Sequence, residues 1–116
     1  MALSKHPLVA DYDLSSVHTT LSGAAPLDGE LGRSLAERLR CRVLQGYGMT
    51  EMSPVSHLVP VDATELPVSS VGYTVPNMDC RLLDPATGED LDIPAEGTSV
   101  PGHLLCRGPN VMLGYL

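Results

Sequence analysis

Proline is distributed very unevenly along this chain: two prolines lie in residues 1–53 and eight in residues 54–116. Proline has no backbone N–H and its ring clashes with the preceding turn of a helix, so regular helices are confined to the first half. The second half is left with short strands separated by turns. The charge changes at nearly the same place. Residues 1–58 carry five basic and six acidic side chains and residues 59–116 two and eight, which divides the net −7 into −1 and −6. The expected organisation is an α/β segment over 1–62 followed by a β-rich segment over 63–116.

In the first segment, Val17 to Leu21 reads as a short strand. Asp28 is placed to cap a helix in which Leu31, Leu35 and Leu39 recur every four residues, and Cys41 to Leu44 reads as a second buried strand. Strand, helix and strand at this spacing form a βαβ unit with parallel strands. Gly29 and Gly32 weaken the helix without abolishing it. In the second segment, Asp84-Pro85-Ala86-Thr87-Gly88, Pro94 to Gly97 and Gly108-Pro109-Asn110 punctuate runs such as Met78 to Leu83 and His103 to Arg107. These runs are expected to pair antiparallel. The predicted fold class is therefore α/β, a βαβ piece of a mostly parallel sheet followed by an antiparallel, partly barrel-like segment.

Leu, Val and Ile supply 30 of the 116 residues, about 26%, above the roughly 20% below which chains stay disordered. Phe and Trp are absent and Tyr numbers four, so the large anchors of many cores are missing. An acidic chain with no basic stripe interleaved with aromatics lacks the footprint of a nucleic-acid binder. Arg33, Arg38, Arg40 and Arg42 read as a solvated helix face. Cys41, Cys80 and Cys106 are odd in number, far apart and in no CxxC arrangement, which argues against a disulfide framework or a zinc site. Lys5 and Pro7 interrupt the first residues too early for a secretory apolar run, and no stretch approaches a membrane span. A cytoplasmic protein is expected.

Two segments carry the chemistry. Ser22-Gly23-Ala24-Ala25-Pro26-Leu27 follows the first strand and Gln45-Gly46-Tyr47-Gly48-Met49-Thr50-Glu51 the second, on one edge of the sheet. Open α/β sheets bind ligands in the crevice beyond the carboxyl ends of their strands. Gly23, Ala24, Gly46 and Gly48 let a flat ring approach the backbone, Tyr47 offers a face to stack on, Thr50 a hydroxyl and Glu51 a carboxylate. Magnesium is commonly held by one or two carboxylates plus substrate phosphates, so one Glu is chemically sufficient. On residue types alone the bland alternative stands beside this one: small residues after strands are ordinary turn formers, and Thr-Glu is an ordinary helix start.

These strings, with Lys5-His6-Pro7, Tyr12-Asp13-Leu14-Ser15-Ser16, Ser70-Val71-Gly72, Val75-Pro76-Asn77, Arg107-Gly108-Pro109-Asn110-Val111-Met112 and Gly114-Tyr115, resemble the adenylate-forming superfamily over nearly the whole chain. That superfamily includes acyl-CoA synthetases, luciferases and peptide-synthetase adenylation domains, and within it the sequence is most similar to bacterial 4-coumarate:CoA ligases. The resemblance implies that Gly23 and Ala24 line the adenine and acyl site, that Gln45, Gly46 and Tyr47 frame the adenylate, and that Thr50 contacts the α-phosphate. It makes Glu51 the magnesium ligand, with Thr50 and Glu51 the catalytic pair. Gly48, Met49, Met52, Pro54, Val55 and Leu58 become candidates for the substrate pocket. ATP or AMP, magnesium and CoA are the implied cofactor and co-substrates, with a small carboxylic acid as substrate, an aryl acid such as 4-coumarate ahead of a fatty acid.

Relatives commonly have Gly-Glu-Leu where this chain has Gly102-His103-Leu104, and no chemistry attaches to that change. His6, His18, His57 and His103 read as structural or surface residues. The family's phosphate loop, its ribose-binding Asp and its C-terminal ligase domain with the catalytic Lys are not among these residues, and the only lysine is Lys5. The expectation is an internal piece of the large N-terminal domain, inactive alone. A non-catalytic nucleotide-binding or interaction remnant is the competing function.

Overall fold

The computed structural model describes residues 2–94, 97 and 99–116. Helix α1 (Ala2–Lys5) and a 3-10 turn (Pro7–Asp11) lead into strand β1 (Thr19–Ser22), helix α2 (Gly29–Leu39) and strand β2 (Arg42–Gly48). A second 3-10 turn (Thr50–Met52) precedes strands β3 (Val55–Leu58), β4 (Tyr73–Thr74), β5 (Asp79–Leu83) and β6 (His103–Arg107). No helix among the described residues is long and apolar enough to cross a membrane.

Helix α2 begins where its cap predicts. Oδ1 of Asp28 accepts from the amides of Glu30 and Leu31 at 2.9 and 3.3 Å, and Arg40 ends the helix in the left-handed region at φ 52. Its apolar face, through Leu35, Ala36 and Leu39, packs on Cys41 and Val43 together with Val9, Leu14, Val17, Leu27 and Val68. Gly32 is there for contact: a Cβ would collide with Cγ1 of Val68, so its helix penalty is offset by close approach of the segment around residue 68. Two of the four clustered arginines differ from the expected solvated face. Arg38 donates to the carbonyls of Ser4 and His6 at 2.9 and 2.8 Å, and Arg42 to that of Ala63 at 3.0 Å.

Strands β1 and β2 are parallel, Thr19 opposite Arg42 through Ser22 opposite Gln45, as a βαβ unit requires. β3 then pairs antiparallel with the far half of β2, and β4 with β3, giving a four-stranded mixed sheet in the order β1-β2-β3-β4. β5 and β6 form a separate antiparallel pair, Asp79 opposite Arg107 through Leu83 opposite His103. Among the described residues the strands do not close into a barrel. The second strand runs four residues further than its apolar core indicated. Gln45 to Gly48 lack the β-branched signature of a strand; Gln45 completes the ladder with β1, and the rest comes from β3, with Gly46 opposite Leu58, Tyr47 opposite His57 and Gly48 opposite Val55.

Candidate functional site

The ends of β1 and β2 converge on a cleft of about 420 Å³. Its wall takes Leu21, Ser22, Gly23 and Ala24 from the first crossing and Gly46, Tyr47, Gly48, Met49 and Thr50 from the second. Pro54, just before β3, and Val55 and Leu58 of β3 complete it. The expected separation of two loops at one sheet edge is thus modified, since much of the second segment belongs to β2 and only its last residues lie beyond the strand.

Local backbone geometry keeps this wall thin. A Cβ at Gly48 would fall on the carbonyl of Pro54, so β2 and the start of β3 can meet there only through glycine. A Cβ at Gly23 would meet nothing, which leaves open space beside the end of β1. Ala24 sits in the left-handed region at φ 68, a costly conformation for a residue with a Cβ and one that recurs at ligand sites. A second, smaller cleft of about 150 Å³ shares Ala24, Gly46, Tyr47 and Gly48 and is completed by Ala25, Pro26, Leu27, Gln45, Ser69 and Val71. The two clefts share the backbone around Ala24 and Tyr47 as a common wall.

Gln45 serves this wall from behind. It is 4% exposed, and its amide is fully engaged: Nε2 donates to the carbonyls of Leu27 and Val68 at 3.1 and 2.6 Å, while Oε1 accepts from the Leu27 amide at 3.1 Å. With both N–H groups used, the side chain holds the residue 24–27 turn against β2 and has no donor left for a ligand. The Tyr47 and His57 rings meet in a T-shaped arrangement, centroids 6.0 Å apart and planes inclined at 61°. Ser56, wholly buried, donates to the Tyr47 carbonyl at 3.3 Å and lies 2.9 Å from Nδ1 of His57. A hydroxyl has one proton, so a serine that gives it to Tyr47 accepts from Nδ1–H of His57. Burial pushes the His57 pKa down.

Met52 is corrected. It is 2% exposed and absent from the cleft wall, because the 3-10 turn directs it inward and Ser53, at φ 50, reverses the chain before Pro54 re-enters the wall. It is core, whereas Met49, Pro54, Val55 and Leu58 do line the cleft.

Thr50 lies in the cleft wall and Glu51 one residue beyond it. Oε1 of Glu51 accepts from the Tyr115 hydroxyl at 2.8 Å. Its own backbone N–H, and then that phenol, hold its pKa below the usual carboxylate value. The same bond raises the Tyr115 pKa, opposed by a hydrogen bond with the Thr50 side chain. The three side chains therefore meet at the cleft mouth. The segment after β6 supports them: Asn110 Nδ2 donates to the carbonyls of Met52 and Val55, and the Met112 amide to that of Glu51 at 2.8 Å. Asn110, Met112 and Tyr115 are contributions that sequence spacing does not disclose, since they reach the turn from more than fifty residues away. No cluster of three or more His, Cys, Asp or Glu able to hold a metal is present among the described residues. A metal here would take Glu51 as its one carboxylate and complete its shell with ligand phosphates, a donor set that suits magnesium.

A family model described as AMP-binding enzyme matches residues 1–116. The chain is 45% identical to 4-coumarate-CoA ligase 2 of Narcissus pseudonarcissus over its whole length, and spans 20% of that relative, about a fifth. Among solved structures, a long-chain-fatty-acid-CoA ligase from Archaeoglobus fulgidus matches 90% of this chain and 21% of its own at a TM-score of 0.76 and 25% identity. ATP-bound MatB from Rhodopseudomonas palustris matches 82% of this chain and 18% of its own at a TM-score of 0.67 and 34% identity. With the family model covering every residue of a chain folded in this way, the chain belongs to the AMP-binding enzyme family.

Proposed function

We propose that residues 1–116 supply the adenylate-binding wall of a cytoplasmic ATP-dependent acid:CoA ligase acting on 4-coumarate or a related aryl acid. The observation that carries this reading is the pair of clefts sharing one thin wall, with Thr50 in the wall of the larger one and Glu51 the next residue along the chain. One cleft takes the adenine and ribose, and the other, lined by Met49, Pro54, Val55 and Leu58, takes the acid. In the first half-reaction a carboxylate oxygen bonds to the α-phosphorus of ATP as the bond to pyrophosphate breaks. In the second, the CoA thiol attacks the acyl carbon and AMP leaves.

Ala24 and Gly46, common to both clefts, admit the flat ring and Tyr47 stacks on it, with Gly23 on the acid side and Gln45 fixing the turn behind them. The Thr50 hydroxyl donates to an α-phosphate oxygen, and Glu51 would hold a magnesium ion, which would supply Lewis-acid neutralisation of phosphate charge. The wall itself contains no Lys or Arg, so further cationic groups that stabilise the transferring phosphoryl centre come from other parts of the enzyme. The chain by itself is accordingly expected not to release pyrophosphate.

The aryl preference draws on the 4-coumarate-CoA ligase relatives, and the test is a chimera. Residues 1–116 replace the matching fifth of the Narcissus enzyme, and pyrophosphate release is followed with ATP and a panel of acids. Release that favours 4-coumarate over long-chain fatty acids is the expected result, whereas the reverse order would move the substrate class to fatty acids. A folded chimera that binds ATP and releases no pyrophosphate with any acid would overturn the ligase reading in favour of a binding remnant.

A further inference from the structure

The β5–β6 pair lies outside the site just described and carries a feature that the adenylation chemistry does not use. Cys80 and Cys106 are directly opposed in its antiparallel register, and the Cys80 thiol donates to the Cys106 sulfur at 3.2 Å. Directly opposed residues of such a pair stand about 4.5–5.5 Å apart at Cα, inside the roughly 4.4–6.8 Å that a disulfide bridges. The register is fixed beside them by the neighbouring pair, in which Arg107 Nη2 lies 2.8 Å from Asp79 Oδ2. Both sulfurs belong to half-buried residues, whereas Cys41 is buried in the α2–β2 core beside Thr20, just before β2 and away from the β5–β6 pair.

We infer that Cys80 and Cys106 form a reversible dithiol–disulfide site that reacts with small-molecule disulfides of the glutathione class. The Cys106 thiolate attacks one sulfur of the reagent, forming a mixed disulfide and expelling one thiolate. Cys80 then loses its proton to solvent and attacks the Cys106 sulfur, forming the protein disulfide and expelling the second thiolate. The two cysteines lose two electrons together and the reagent is reduced to two thiols. The Cys80 thiol is the donor in the 3.2 Å contact, so it keeps its proton while the contact steadies a thiolate on Cys106, and Cys106 attacks first with Cys80 resolving. Burial and that same bond push the Cys80 thiol up to about 11. The bond ties β6, the strand that delivers Asn110, Met112 and Tyr115 to the Thr50–Glu51 turn, covalently to β5.

The test equilibrates the dilute full chain with mixtures of reduced and oxidised glutathione, quenches with acid and maps the linked peptides by mass spectrometry. A parallel set is run in urea. The expected product in buffer is a Cys80–Cys106 link within one chain, with Cys41 free and an effective thiol concentration at least tenfold above the urea value. Cys80→Ser should leave the glutathione adduct on Cys106. Cys41→Ser, a control that leaves the pair intact, should not change the link. A link through Cys41, stable glutathione adducts on both Cys80 and Cys106, or equal effective concentrations with and without urea would each overturn the inference, because strand register would then contribute nothing to the pairing.

Discussion

Single residues in this chain divide into those whose roles follow from residue type and those whose roles depend on distant partners. Gly48 and Asp28 are of the first kind: a glycine beside a sharp strand reversal and an aspartate before an apolar four-residue period do what their chemistry requires. Met52, Gln45 and Glu51 are of the second. Nothing in the local string separates a wall methionine (Met49) from a core one (Met52), because the left-handed turn at Ser53 decides it. For Glu51 the deciding partner is Tyr115, 64 residues away. Tyr115→Phe removes one of the two hydrogen bonds that stabilise the Glu51 carboxylate, so its pKa should move part of the way back up to the ordinary value. The Glu51 backbone N–H, the larger influence, remains. An NMR titration of the Glu51 side-chain carbonyl measures this, and an unchanged midpoint would show that the phenol does not act on Glu51.

At the scale of elements, α2 was legible because capping and a four-residue apolar period are local signals. β5 and β6 were legible because turn residues bracket them. The extension of β2 was not, since strand pairing with β3 overrides the weak intrinsic preference of Gln45-Gly46-Tyr47-Gly48. The β2–β3 pairing also carries a pH dependence. His57 is opposite Tyr47 and its folded pKa is depressed by burial. As pH falls below the ordinary histidine value of about 6.5, the unfolded chain takes up the proton first and stability declines, levelling off once pH is below the folded pKa. The protection factors of the β2 and β3 amides, with the intrinsic base-catalysed exchange rate divided out, should therefore fall over that interval and be independent of His57 protonation above it. His57→Gln should flatten the dependence, and an identical profile in that variant would assign it to another group.

The whole molecule is open. Its radius of gyration is 16.9 Å, where a compact domain of this length would have about 13 Å. Its accessible surface is 8580 Å², against about 6,100 Å² for a folded monomer of its mass. β1 is an edge strand, and Leu21 on it is 62% exposed, as are Leu8, Tyr12 and Tyr73 in comparable degree. Unpaired strand edges beside apolar side chains template association. The isolated chain is expected to self-associate at micromolar concentration and to melt over a broad range. Sedimentation velocity and calorimetry check this, and a dilute monomer with one sharp two-state transition would contradict it. The absence of Phe and Trp gave a first sign of so thin a core, but the openness itself follows from how few elements cover each sheet face, which composition does not encode.

The most direct test of the central claim, that Thr50 and Glu51 organise the phosphates at the mouth of a two-cleft adenylate site, is Glu51→Gln in the chimera with the Narcissus enzyme. The substitution keeps shape and removes charge. A residue acting only as a surface charge on the three-residue turn Thr50–Met52 would change the rate little. A metal ligand acts on the chemical step, and adenylation measured by pyrophosphate exchange should fall about a hundredfold or more, equivalent to about 2.7 kcal/mol of transition-state stabilisation, with Tm nearly unchanged. Adenylation within a few-fold of the parent chimera across magnesium concentrations would make Glu51 a structural residue and contradict the site.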